Sequence, residues 1–192
     1  MEADWCAEIG LDLPGIDVPW EGFIDLRKGT SAIQAISEAT DHVALREALI
    51  MVNSKASPIF TARCDAWTIS ASEIDPDEFG SLAADAGYGF ASYIDILLTD
   101  LGKLALFELH ESWARHLTRH LQSLTLSNGR VEFVIRNASV DSRPGFGLTL
   151  YAAGCGADES SAYTAWQAVL HAAVTATMNP VPFPPGASSS IG

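Results

Sequence analysis

Apolar residues along this chain recur with two periods, and each switch between the periods marks an element. Alternation every second residue predicts a half-buried strand, and a return at three and four residues predicts a helix. The opening stretch gives two short strands, near Trp5–Ile9 and Trp20–Arg27, split by the turn-forming Leu13-Pro14-Gly15. TSAIQAISEATDHVALREALIMVN then reads as a helix, with Thr30 or Ser31 as N-cap and Asp41 restarting it after a kink. Pro58 ends that region. In IFTARCDAWTIS, Ile59, Thr61, Arg63 and Asp65 alternate with Phe60, Ala62, Cys64 and Ala66, the pattern of a strand.

The segment EIDPDEFGSLAADAG carries helix-start chemistry, with Asp75 as N-cap, Pro76 at the first helical position and Glu78 completing a capping box, and Gly87 closes it. GFASYIDILLT follows as a strand. A long helix is predicted from about Leu104 to Leu124, ended by Asn128-Gly129. RVEFVIRNASV and FGLTLYAAGC form a hairpin across Asp141-Ser142-Arg143-Pro144-Gly145. Asp158 caps a last helix that runs to about Met178 and stops at Asn179-Pro180.

This order predicts a single α+β domain over 1–178, followed by a Pro- and Ser-rich, disordered tail over 179–192. The fold expected is an antiparallel sheet of about five to six strands in ββα-ββα-ββα order, with the helices packed on one face. The polar positions of the strands then share the other face. Arg63, Asp65, Tyr93, Asp95, Arg136 and Tyr151 are the candidate binding residues there, with Glu21, Asp25, Arg27 and Glu132 beside them.

Charge narrows the partners. The 192 residues carry 24 acids against 11 bases, a net charge of −13. Such a chain repels a phosphate backbone, and Arg115, Arg119 and Arg130 are too sparse for a nucleic-acid footprint. Nucleic acid and membranes are excluded as partners, which leaves a basic protein partner or self-association as a homodimer. A hydrophobic content of 48% suffices for one core. MEADWCAEIG lacks the basic start and apolar stretch of a signal peptide, and no apolar run is long enough to span a bilayer, so the cytoplasm is the expected compartment.

The motifs of common chemistries fail one by one. Cys6, Cys64 and Cys155 are far apart with no CxxC, and reduced, buried thiols are expected, although Cys155 beside a helix N-terminus invites a lowered pKa and a nucleophilic role. An EF-hand started at Asp75 lacks its oxygen ligand at Phe79 and its glutamate at Ala86. Gly154-Cys155-Gly156 precedes a helix, but Glu159 stands where a dinucleotide fingerprint needs glycine. No phosphate loop and no GxSxG occur. No cofactor is implied.

The long helix holds the remaining chemistry. On a wheel of about 100° per residue, Leu106, Leu109, Trp113, Leu117 and Leu121 form a stripe. His110 and His120 fall on it, with His116 at its margin. His116 and His120 are i,i+4 neighbours able to share a metal, although Ala114 breaks the HExxH pattern and a third ligand must come from elsewhere. The alternative is a carbonyl-bonded core histidine. Of the tryptophans, Trp113 and Trp166 take helical core positions, while Trp5, Trp20 and Trp67 are candidates for a contact surface. The expectation is a non-catalytic protein-interaction module, chaperone-like or inhibitor-like, working through an exposed sheet face. The alternative is a metal-dependent or acid–base enzyme using His116 and His120.

Overall fold

The structure, a computed structural model, describes residues 1–75, 79 and 86–179. In chain order the elements are β1 (Glu2–Glu8), β2 (Ile16–Val18), α1 (Ser37–Asp41), α2 (Val43–Val52), β3 (Ile59–Ser70), β4 (Tyr88–Leu98), α3 (Phe107–Gln122), β5 (Gly129–Val140), β6 (Arg143–Gly156) and α4 (Glu159–Met178). Short 3-10 turns at Leu26–Lys28, Thr30–Ala35, Ala71–Glu73 and Leu101–Lys103 join them. The capping-box helix expected after Asp75 and the tail beyond Asn179 lie outside the described residues.

The class is α+β, built on a six-stranded sheet ordered β1-β5-β6-β4-β3, with β2 also paired to β5. The sheet is mixed, which corrects the all-antiparallel ββα-ββα-ββα arrangement. β1 and β2 do not pair with each other. Both run parallel to β5, against its successive stretches Arg130–Arg136 and Ala138–Val140, and so make one interrupted edge. The strand expected at Trp20–Arg27 does not form. Gly22 takes φ +89°, and the Asp25 carboxylate caps the turn at Leu26–Lys28 by accepting the Arg27 N–H, so the chain coils where alternation alone suggested extension. The β5–β6 hairpin is tighter than expected. Asp141 and Ser142, at φ 50° and 65°, form the whole turn, and Arg143–Gly145 belong to β6.

The main core lies between the helices and one sheet face. Leu45, Leu49, Trp113, Leu117, Trp166 and Val169 pack on Ile94, Phe133, Ile135, Leu148 and Leu150, all buried. α4 approaches the sheet most closely. Gly129 and Gly154 face each other across β5 and β6, and a Cβ on Gly154 would overlap the Trp166 backbone nitrogen, while one on Gly129 would overlap Val169. These glycines, together with Gly156 under Ser161 and Ala162, serve helix packing. Trp166 donates its Nε1–H to Ser92 Oγ at 2.9 Å, which satisfies both buried groups.

The opposite sheet face is framed by two smaller apolar clusters. Ile16, Val18, Phe60, Leu97, Leu104 and Val140 close one end, and Ile74, Phe79 and Cys155 close the other. The strip between them is polar.

Both sheet edges have backbone groups capped by side chains. On β3, Ile59 N–H bonds Ser57 Oγ, Thr61 N–H bonds Asn53 Oδ1, Ala66 N–H bonds Asp65 Oδ1 and Ser70 N–H bonds Glu73 Oε2. On β1, Trp5 N–H bonds Asp4 Oδ1, and the Ala3 carbonyl accepts from Gln122 Nε2. Groups satisfied this way are closed to an added strand. Among the described residues no helix is long and apolar enough to cross a membrane.

Candidate functional site

The polar strip is organised by a bulge in β3. Thr61 pairs with Ile96 and Cys64 with Ile94, so Ala62 and Arg63 together oppose the single residue Asp95. Alternation along β3 therefore slips. Ala62 packs with Phe60 on the strip side, Arg63 and Asp65 follow on that same side, and Cys64 and Ala66 turn to the helices. The face assignment read from the sequence is corrected here, since Thr61 and Arg63 do not share a face.

Asp95 is buried at the centre, and its carboxylate has two kinds of partner. Thr149 donates its hydroxyl to Oδ1 at 2.6 Å, and Arg63 Nε lies 3.2 Å from Oδ2, close enough for ion pairing but out of line for a hydrogen bond. Arg63 also donates through Nη2 to the Gly15 carbonyl, which ties the loop between β1 and β2 to the strip. Arg136 extends the network. It donates to Thr149 Oγ1 at 3.1 Å, to Tyr151 Oη at 3.3 Å and to Glu8 Oε2 at 2.6 Å. Beside it, the Trp67, Tyr93 and Tyr151 rings step across β3, β4 and β6 with centroids 6.4 and 6.0 Å apart.

Burial pushes the Asp95 carboxyl above the ordinary carboxylate range. The Thr149 bond and the charges of Arg63 and Arg136 pull the other way and do not overcome it. Burial, then the charge of Asp95, also raises Tyr93. All three thiols are raised, first by burial. Cys64 reaches about 12, with Glu38, Asp65 and Asp95 adding to the effect. The lowered pKa expected for Cys155 beside its helix is thus overturned: the thiol is buried among Ile74 and Phe79.

Five of the six candidate residues, Arg63, Tyr93, Asp95, Arg136 and Tyr151, line one small pocket of about 200 Å³ with Thr149, Pro14 and Gly15. Asp65 lies outside it and borders a larger cleft of about 720 Å³, which Arg63 and Tyr93 also line. Of the flanking residues, Glu132 shares the strip, 3.6 Å from Arg130. Asp25 instead holds Arg27 at 2.7 Å, and Arg27 lies over the Phe60 ring at the end of the sheet.

Reading by residue missed Glu8, Thr149 and the cleft walls. Thr149 was legible as the alternate neighbour of Tyr151. Glu8 was not, because its place depends on the parallel β1–β5 register.

The histidine helix lies on the other side of the sheet. His110 is fully buried. Its Nδ1 is 2.9 Å from the Leu106 carbonyl, and burial lowers its pKa. His116 and His120 are exposed on the outer side of α3. Among the described residues, no group of three or more His, Cys, Asp or Glu side chains is placed to hold a metal. Trp113 and Trp166 are core residues. Trp20 and Trp67 are 44% and 40% exposed, and Trp5 is half-buried beneath Arg115 on the helical side.

Comparison with family models, with curated proteins and with solved structures returned no match.

Proposed function

We propose that this protein is a non-catalytic interaction module that binds a basic protein partner through the polar strip of its open sheet face. One observation carries the reading. Each arginine on the strip is already engaged by an acid: Arg63 by Asp95, Arg130 by Glu132 and Arg136 by Glu8. Glu2, Asp4 and Asp65 lie on the same face by strand register and carry no ion pair to a base among the described residues, so its net field is negative. A negative field speeds capture of a basic partner and opposes pairing of two copies.

The capped edges support a contact through the face over strand addition, and the exposed Trp67 beside Tyr93 supplies rigid aromatic area of the kind that anchors interfaces. The three unpaired cysteines suit a reducing compartment such as the cytoplasm. An inhibitor-like or chaperone-like role fits this scheme, because both need affinity without chemistry.

The test is native mass spectrometry on protein purified gently from its own host, combined with cross-linking of carboxylates to lysines. The reading expects a salt-sensitive complex with a basic protein, linked through Asp4, Asp65 or Glu132. Links confined to the outer surfaces of α2 and α3 count against it.

A further inference from the structure

Beside the β3 bulge, the 720 Å³ cleft runs between Arg63–Asp65, the segment 15–24 and the residues 35–38. Its volume is in the range of pockets that hold a defined group. The cleft wraps the edge of β3, and its apolar floor comes from Ile24, Leu26, Ile36 and Leu49 on the helix side, with Ala62 contributed from the strip side. The rim carries Asp17, Glu38 and Asp65, none of them ion-paired among the described residues, while the one base in the lining, Arg63, is bound by Asp95 and the Gly15 carbonyl.

Two aromatic rings complete the walls. Trp20 is held out by the turn that closes from Phe23 N–H to the Trp20 carbonyl at 3.0 Å, over Gly22 in the left-handed region. Tyr93 stands opposite Asp65 in the sheet.

An apolar floor, aromatic walls and a carboxylate rim match one ligand shape: an aliphatic stem ending in a delocalised or compact cation. We infer that the cleft receives an arginine or lysine side chain of the basic partner, its stem over Leu26 and Ile36 and its charge between Glu38, Asp65 and the Trp20 ring. This rests on the reading of the open face as a partner-binding surface and names the feature of the partner that the site reads. An anionic group does not fit, because the rim repels it and Arg63 is already committed. A purely apolar group would leave the rim carboxylates to be desolvated without a partner.

The probe is the capped tripeptide acetyl-Gly-Arg-Gly-amide, titrated into the full chain and followed by amide and indole NMR. Its lysine counterpart and its citrulline counterpart, which keeps the shape and loses the charge, are run beside it. The expected result is saturable movement of the Trp20 indole and of the Cys64 and Asp65 amides with the arginine and lysine peptides. The citrulline peptide should bind at least about tenfold more weakly. The double variant Glu38→Gln/Asp65→Asn keeps both local hydrogen bonds, so it should keep a dispersed spectrum while losing the binding; Glu47→Gln, on the outer surface of α2, should not lose it.

Equal binding of the citrulline peptide would overturn the inference. So would full binding by the Glu38→Gln/Asp65→Asn variant. Movement confined to Glu2, Asp4 and Glu132 would remove the cleft and leave the acidic-face reading standing. Absence of movement at any of these carboxylates would remove both.

Discussion

Arg63 stands over Asp95 because of the bulge that puts Ala62 and Arg63 together opposite that one residue of β4. Without the extra residue, alternation would turn Arg63 to the helices and leave the Asp95 carboxylate with Thr149 alone. The pairing also fixes the β1–β2 loop through the Gly15 carbonyl. The bulge therefore joins a strand irregularity, a buried charge and a loop position.

The first prediction concerns that pair. Arg63→Met leaves a buried carboxylate without its neighbouring cation. Arg63 is itself more than a third exposed, so the loss should be near the low end for broken ion pairs, about 1–2 kcal/mol. Asp95→Asn keeps an acceptor for Thr149 and removes the buried charge, and it should stay within about 1 kcal/mol of the parent. Urea unfolding of both variants checks the order.

The pH dependence has a definite sign. The Asp95 carboxyl is raised by burial, so the folded chain holds that proton more tightly than the unfolded chain. Between the ordinary carboxylate pKa and the raised value, the folded state binds more protons, and this group's contribution to stability falls as pH rises. Above the raised value its contribution levels off. Asp25, held below the ordinary range first by its bond from Arg27, acts in the opposite sense, its stabilisation being lost as pH falls. Stability measured against pH for the parent and for Asp95→Asn should differ by a curve that declines through this window. A flat difference would show that Asp95 titrates alike in both states.

The sequence displayed the strands of the strip and most of its polar residues, because alternation along β4, β5 and β6 is regular there. It displayed the last helix from end to end, since Asp158 and Asn179-Pro180 are local start and stop signals. It did not display the bulge, because Ile59 to Ala66 alternates in letters even where the backbone slips. Nor did it display the parallel pairing of β1 and β2 with β5, which depends on contacts more than a hundred residues apart in the chain. The cleft was hidden for a related reason. Trp20, Glu38 and Asp65 come from three separate segments, and the coil at Gly22 read as a strand.

Helix packing gives a third prediction. Gly154 lies directly beneath the α4 backbone, where a methyl group meets peptide atoms that cannot rotate away. Gly154→Ala should destabilise by about 1–3 kcal/mol or more, the range for overpacked cores. Thermal unfolding reads this as a lowered Tm with no new pH dependence.

The aromatic residues divide by role. Trp166→Ala removes a fully buried ring and its bond to Ser92, and should cost about 3–5 kcal/mol. Trp67→Ala removes a ring that is 40% exposed and should change stability by about 0.5 kcal/mol or less, yet weaken partner binding. Chemical unfolding beside a binding measurement separates the two.

Cys64 should be inert in the folded protein. With its pKa at about 12, it presents almost no thiolate near neutral pH. Iodoacetamide should label it about a hundredfold more slowly in the native than in the urea-unfolded chain, as counted by mass spectrometry of the Cys64 peptide.

The open face is tested most directly by reversing its charge against a matched control. Asp65→Lys/Glu132→Lys inverts the two acids that flank Tyr93 and Tyr151 in the cross-strand row. Glu47→Lys/Glu111→Lys makes the same charge change on α2 and α3. Each protein is recovered from the native host and its native mass spectrum recorded. The face variant should emerge without the basic partner, while the helix variant keeps it at the occupancy of the parent. A face variant that retains the partner in full, or a parent that carries no basic protein, would contradict the account.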